Sequence, residues 1–302
     1  MITWRGCEES CQGFKTSLES LHPGAVVELR DAGQKRATVA AFVAEAKQTR
    51  PDVIVTWGGD ATLEVVGPYD EVDPERHITD LPVVYMYVSS APELRIARSE
   101  WSTGRRNVAG TDYAVPLSAQ VTAMRNYKPF RKMGMLYDDR HMDSVARVQK
   151  MRELAEEMHY QLVALPLIYK EDGPDESALP QLIGSLKEMG AEFIHFGVSS
   201  TLINWMEPFT AAAKSLDIPV FSGGQMPVKR AHALLALYTP ISEIGALAAY
   251  QVAHILESPG RSLADLPTAR FVRHSLAINM RVAREMGLYP PMSMVRIADL
   301  VE

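Results

Sequence analysis

The chain has 302 residues, 47% of them apolar and 23% charged, with a formal net charge of −6. This composition is ordinary for a globular protein and excludes disorder and coiled coil. The acidic balance leaves no electrostatic footprint for nucleic acid or an anionic membrane surface. No apolar run approaches the roughly 18 residues a membrane-spanning helix needs; Gly245–Ile255, the longest, is interrupted by Tyr250, Gln251 and His254. The length favours two domains or one large α/β unit.

In chain order, the opening Met1-Ile-Thr-Trp-Arg reads at once as a strand. That leaves no room for a signal peptide and, taken alone, points to the cytoplasm. Further apolar strand-like runs are Ala25–Leu29, Val53–Trp57, Val83–Val88, Met133–Tyr137, Leu162–Leu167, Phe193–Phe196, Val220–Phe221 and Ala233–Tyr238. Helix-period segments lie between them: Gln12–Leu21, Ala37–Lys47, Val115–Arg125, Ser144–His159, Ala178–Met189 and Asn204–Leu216. Short strands separated by longer helices predict right-handed βαβ units and parallel sheets covered on both faces. The alternation occurs twice, from Met1 to about Val88 and from about Arg131 to Tyr238, with the polar Gly104–Asp112 segment as the connection. A long helix, Ile241–Leu256, a strand Ser275–Asn279 and a helix Met280–Gly287 complete the pattern. Two α/β lobes follow, with the tail crossing back.

In open parallel sheets, ligands gather at the carboxyl ends of the strands. The loops there contain Arg5 and Cys7; Trp57, Gly59, Asp60, Ala61 and Thr62; Ser89 and Ser90; Tyr137 and Asp138; Ser199, Ser200 and Thr201; Gly223 and Gln225. Such Gly-, Ser-, Thr- and Asp-rich loops offer backbone N–H groups to anionic ligand groups, although each polar residue alone could merely cap a helix. Trp57 is open to two readings, a core residue or a stacking surface.

Cysteine occurs only as Cys7 and Cys11. Reduced thiols are the favoured reading; a disulfide at this spacing requires Cys7 to lie outside the helix. Neither the cysteines nor the scattered histidines have metal-ligand spacing, so no metal or cofactor is expected. Gly58-Gly59-Asp60-Ala61-Thr62 resembles the GGDGT loop of NAD and diacylglycerol kinases, with Ala61 in place of the last glycine. No second nucleotide motif accompanies it. Ser199-Ser200 lacks a neighbouring base, Cys7 lacks one too, and the adjacent Asp138-Asp139 pair fits capping better than acid–base work.

Four segments in order along the whole chain carry a stronger resemblance: Arg106-Asn-Val-Ala-Gly110-Thr, Lys132-Met-Gly-Met-Leu-Tyr-Asp138, Ile218-Pro-Val-Phe221, and Pro290-Pro-Met-Ser-Met-Val-Arg-Ile-Ala-Asp-Leu-Val-Glu302. The Trp4-Arg-Gly-Cys opening and Arg273–Met280 add to it. The sequence resembles the ABC-transporter substrate-binding proteins of the tryptophan/tyrosine-binding type, which have the type I periplasmic binding fold. The resemblance implies two lobes, 1–109 plus 241–267 and 113–238 plus 270–302, with a ligand cleft between them. It implies three hinge crossings, near Val108–Tyr113, Leu237–Ser242 and Pro267–Val272. It also implies a non-catalytic, monomeric, periplasmic or otherwise exported receptor whose leader is missing, with a small-molecule solute and a membrane permease as partners. Where amino-acid-binding members have acids, this sequence has Ser199-Ser200-Thr201 and Gly223-Gly224-Gln225. A buried ammonium without a countercharge is costly, so the expected solute is neutral or carboxylate-bearing, unless Asp60, Asp138 or Asp139 substitutes. Trp57 and Tyr137 are candidate stacking surfaces for an aromatic solute. The competing readings are a nucleotide-using kinase built on residues 58–62 and a ligand-sensing regulatory domain.

Overall fold

In the computed structural model, the described residues are 1–88, 91–197, 199–271 and 274–302, less the side chains of residues 142 and 143. The chain divides into two compact units, Met1–Tyr113 with Pro240–Val272, and Ala114–Thr239 with Arg273–Glu302. It therefore passes from one unit to the other three times.

The first unit begins with β1 (Ile2–Thr3), α1 (Glu9–Leu21), β2 (Arg30–Asp31), α2 (Arg36–Thr49), β3 (Ile54–Trp57), α3 (Gly59–Val66), β4 (Val83–Met86) and β5 (Val108–Asp112). The second follows with α4 (Leu117–Tyr127), β6 (Lys132–Tyr137), α5 (Met142–Glu157) and β7 (Gln161–Pro166). A hairpin of β8 (Tyr169–Lys170) and β9 (Gly173–Pro174) leads to α6 (Leu179–Glu188), β10 (Phe193–Phe196), α7 (Ser200–Asn204) and α8 (Met206–Ser215). Next come β11 (Val220–Ser222), α9 (Met226–Arg230) and β12 (Leu235–Tyr238). The chain returns to the first unit for α10 (Ile241–Glu257) and β13 (Ala269–Arg270). It ends in the second with β14 (Ser275–Asn279), α11 (Met280–Glu285), α12 (Met292–Val295) and β15 (Ala298–Val301).

The first unit's sheet has the order β13-β5-β4-β3-β1-β2, and every neighbouring pair is parallel. All residues of β3 and β4 are buried, which is why both read as mainly apolar runs rather than as strands alternating apolar with exposed polar residues. Helices α1 and α10 lie against each other at unusually close range. A Cβ on Gly13 would strike the Ser242 carbonyl, and one on Gly245 would strike the Ser10 carbonyl and the Phe14 amide nitrogen. Glycine is what lets the two backbones meet.

The second unit's sheet has the order β15-β14-β12-β11-β10-β6-β7. It is mixed, because β14 runs antiparallel to β12, a departure from the expected all-parallel sheet. Side chains alternate across it. Ile194 and Phe196 join Leu182, Ile183, Leu186 and Phe209 on one face. Phe193 joins Val121, Met124, Val148 and Met151 on the other.

Several expected elements are corrected. Ala25–Leu29 is not a strand; pairing begins only at Arg30. This is the edge of the sheet, and Val26 is 87% exposed, so its apolar character has nothing to cover. The supposed connection through Gly104–Asp112 contains β5, a buried strand between β4 and β13. Its Gly110 is obligatory, since a Cβ there would collide with the buried Tyr85 ring. The helix expected over Asn204–Leu216 is α8, and a short helix not expected, α7, precedes it, separated at Trp205.

Candidate functional site

In both units the strand order contains the arrangement second-first-third-fourth: β2-β1-β3-β4 and β7-β6-β10-β11. At the junction of first and third strands, successive crossovers leave in opposite directions and open a crevice at the strands' carboxyl ends. The candidates that end or follow β1, β3, β6 and β10 flank these two junctions, whereas Gly223 and Gln225 follow β11, one strand further on.

In the first unit, Arg5 follows β1 and Trp57 ends β3. The Arg5 guanidinium lies over the Trp57 ring, 5.6 Å from its centroid. Trp57 stacks on Tyr87 at 4.7 Å, and Tyr87 on Tyr113 at 4.8 Å, both nearly coplanar. Trp57 is buried, with its indole N–H donating to Ser10 Oγ at 2.7 Å. It is at once a core residue and the base of an aromatic column. Tyr87 sits at φ 59°, a left-handed conformation that a bulky side chain tolerates only where its surroundings hold it. Burial pushes its phenol up to about 12, so it stays a neutral donor at ordinary pH.

Gly58 takes φ 92° to turn the chain from β3 into α3, whose first residue is Gly59. Asp60, in the first turn, forms an ion pair with Arg36 at 2.7 Å. Ala61 is a buried core residue. Thr62 is buried as well, its hydroxyl donating to Gly58 O at 2.7 Å and meeting Thr56 Oγ1 at 2.9 Å. This loop therefore holds itself together, with Thr62 turned inward. Ser89 and Ser90 lie outside the described residues.

The expected reduced thiols are corrected to a disulfide between Cys7 and Cys11, with Cα atoms 5.2 Å apart. Helix α1 starts at Glu9, so Cys7 lies outside it, free of the helical geometry that forbids bridging.

In the second unit, Tyr137 ends β6 half-buried, and Asp138 behind it is fully buried. The Asp138 carboxylate accepts from the Tyr169 hydroxyl at 2.6 Å, the Arg140 amide at 3.1 Å and Thr201 Oγ1 at 3.2 Å. The Arg140 guanidinium lies 3.7 Å above the Tyr169 ring centroid. Asp139 is exposed, so the two acids do not form a dyad. Ser199 caps α7 by accepting from Leu202 N at 3.0 Å, and Ser200 is that helix's first residue. Gly223 stands beside the Gln120 amide, and Gln225 Oε1 accepts from Lys229 at 3.1 Å.

Below this end of the sheet, His195 Nε2 meets Gln120 Oε1 at 2.8 Å, while the Gln120 amide nitrogen donates to Val115 O. His195 Nε2 is thus assigned the proton. Burial, then the nearby Arg147 charge, lowers His195 to about 3. The unfolded chain takes up this proton near pH 6.5 and the folded one does not, so stability falls as pH drops from 6.5 towards 3. We expect a loss of about 1.4 kcal/mol per pH unit over that window. Urea melts at pH 7, 6, 5 and 4 check this, with His195→Gln expected to flatten the slope.

Tyr87, Tyr113, Arg36 and Tyr169 were missing from the sequence-derived set. Tyr87 carried a signal: it directly follows an apolar strand, but Val83–Val88 was read as strand to its end, which hid the turn.

A family match covers nearly the whole chain: residues 3–301 fit the family described as ABC transporter substrate binding protein. The chain belongs to that family. None of the curated proteins matches it in sequence. A conserved domain protein from Vibrio cholerae O1 biovar El Tor has a similar structure, with a TM-score of 0.81 at 18% identity, covering 100% of this chain and 98% of that one. An ABC domain in complex with L-Trp from Streptococcus pneumonia gives 0.78 at 17%, covering 100% and 99%. A solute binding protein of an ABC transporter from Rhodopseudomonas palustris, in complex with 3,4-dihydroxy benzoic acid, gives 0.59 at 13%, covering 87% and 81%. At these identities the shared property is the type I periplasmic binding fold. In this member of the family, both units carry a crossover junction in their strand order.

Proposed function

We propose that this chain is the solute-binding receptor of an ABC importer. It captures a small organic solute, neutral or carboxylate-bearing, between its two units and hands it to a membrane permease. The observation that carries the reading is the Arg5–Trp57–Tyr87–Tyr113 column at the first unit's crossover junction, a surface suited to a flat organic ring. Asp60 is paired with Arg36 and Asp138 with Tyr169 and Thr201. The Arg36 guanidinium balances the Asp60 charge, and Asp138, whose donors there are neutral, is fully buried with no surface open to a solute ammonium, which supports the neutral or anionic assignment. The receptor binds as a monomer, without catalysis. It works outside the cytoplasm, where an oxidising environment maintains bonds such as Cys7–Cys11.

A thermal-shift screen tests this against amino acids, aromatic carboxylates, nucleosides, purines, vitamins and ATP with magnesium. A solute at a hundred times its dissociation constant should add about 2.7 kcal/mol of stability. A neutral or acidic solute is expected to raise Tm. A response to ATP–magnesium alone would overturn the receptor reading, and a response to a cationic solute alone would overturn the assignment of charge.

A further inference from the structure

The first unit's junction holds a cation with unspent hydrogen-bonding capacity. The Arg5 side chain is 19% exposed and makes one ion pair among the described residues, Nε to Glu8 Oε1 at 3.1 Å. That nitrogen is out of line for a hydrogen bond there and has no other partner. Neighbouring arginines of the unit are committed. Arg30 forks onto Glu45, Arg36 holds Asp60, and Arg105 donates to the Gly67 and Ile96 carbonyls. Arg5 instead sits over the Trp57 ring, 5.6 Å from its centroid, and beyond the Glu8 ion pair its guanidinium has donors left to meet a ligand.

The same short stretch is tied down from below. Gly6 turns at φ 46°, and Cys7 is bonded to Cys11, which is fully buried in α1. Ser10, one residue earlier on that helix, holds the Trp57 indole. Guanidinium and ring are therefore both referenced to the first turn of α1, one through a covalent bond and the other through a hydrogen bond.

We infer that Arg5 selects for a carboxylate on the solute, and that the Cys7–Cys11 disulfide holds its guanidinium against Trp57 for that contact. The planar fork matches a carboxylate with two parallel N–H donors, a fit that lysine lacks. The Trp57 ring and the Glu8 carboxylate restrain the guanidinium before a solute arrives, so less freedom is lost on binding. The inference rests on the receptor reading above, and it adds the recognised group and the element that positions its partner.

The test is isothermal titration of the full chain with matched pairs: 3,4-dihydroxybenzoate against catechol, indole-3-acetate against 3-methylindole, and L-tryptophan against tryptamine. At least one carboxylate is expected to bind ten times more tightly than its carboxylate-free partner. Arg5→Gln should weaken that carboxylate roughly 10–100-fold, with Arg5→Lys in between and Tm little changed. The Cys7→Ser/Cys11→Ser protein, or the reduced wild type, should lose severalfold in affinity for the same solute while leaving any neutral solute alone. Unchanged carboxylate affinity in Arg5→Gln, or equal binding of both members of every pair that binds, overturns the selection by Arg5 and leaves the receptor reading standing. A loss in Arg5→Gln with none in the serine variant overturns the role of the disulfide. Binding of no probe, together with no response in the wider solute screen, overturns the receptor reading and the inference with it.

Discussion

Gly245→Ala is expected to destabilise the first unit by about 3 kcal/mol, at the upper end of what overpacking costs, and to lower Tm by roughly 6–12 °C. The added methyl meets backbone on α1, the Ser10 carbonyl and the Phe14 amide, and backbone cannot swing aside as a flexible side chain can. Gly184→Ala provides the contrast. Gly184 also lies within a helix, but a Cβ there meets nothing within 4 Å. It should raise stability by about 0.5–1 kcal/mol, because alanine loses less conformational freedom on folding. Urea denaturation followed by circular dichroism separates the two. Equal effects of the same sign would mean that the α1–α10 approach does not depend on glycine.

The second large effect is expected at Asp138. Its carboxylate is buried and satisfies three donors, the Arg140 amide of its own loop and, from further along the chain, Tyr169 and Thr201. Asp138→Ala strands all three, at a cost of about 3 kcal/mol or more. Asp138→Asn keeps one accepting oxygen and should cost about half as much. Hydrogen exchange gives the more specific readout. The β8–β9 hairpin is attached to the rest of its unit through Tyr169, so amides near Tyr169–Pro174 should lose protection in the alanine variant and in Tyr169→Phe. If those amides are unaffected while global stability falls, Asp138 supports the core and not the hairpin.

The alternation of strands and helices was legible because both sheets are covered on two faces, which writes central strands such as Ile54–Trp57 and Phe193–Phe196 as short, mainly apolar runs with no exposed residue. Where that condition fails, the reading fails. The edge strand β2 is displaced from its apolar run, and β5 hides in a glycine-containing segment because Gly110 answers to the Tyr85 ring and not to a turn. Candidate residues were legible where they end a strand or come soon after one, as Trp57, Asp138 and Arg5 do. Their partners were not, because Tyr169 comes from a hairpin 31 residues after Asp138. Arg36, likewise, reaches Asp60 from another helix. The disulfide depended on where α1 begins, a boundary of one or two residues that sequence patterns do not resolve.

The contact of α1 with α10 also constrains how the protein is made. The first unit's core includes Ile244, Ala248, Val252 and Ile255 alongside Phe14 and Leu18. A growing polypeptide that has completed all its early strands still lacks one wall of that core. At ordinary rates of synthesis α10 follows α1 by roughly 10–50 s. During that interval the glycine-marked face of α1 has no partner, and the early segment stays in an unfinished, loosely packed condition. Nascent chains of this protein should therefore remain open to chaperones and protease-sensitive until residues beyond Glu257 are available.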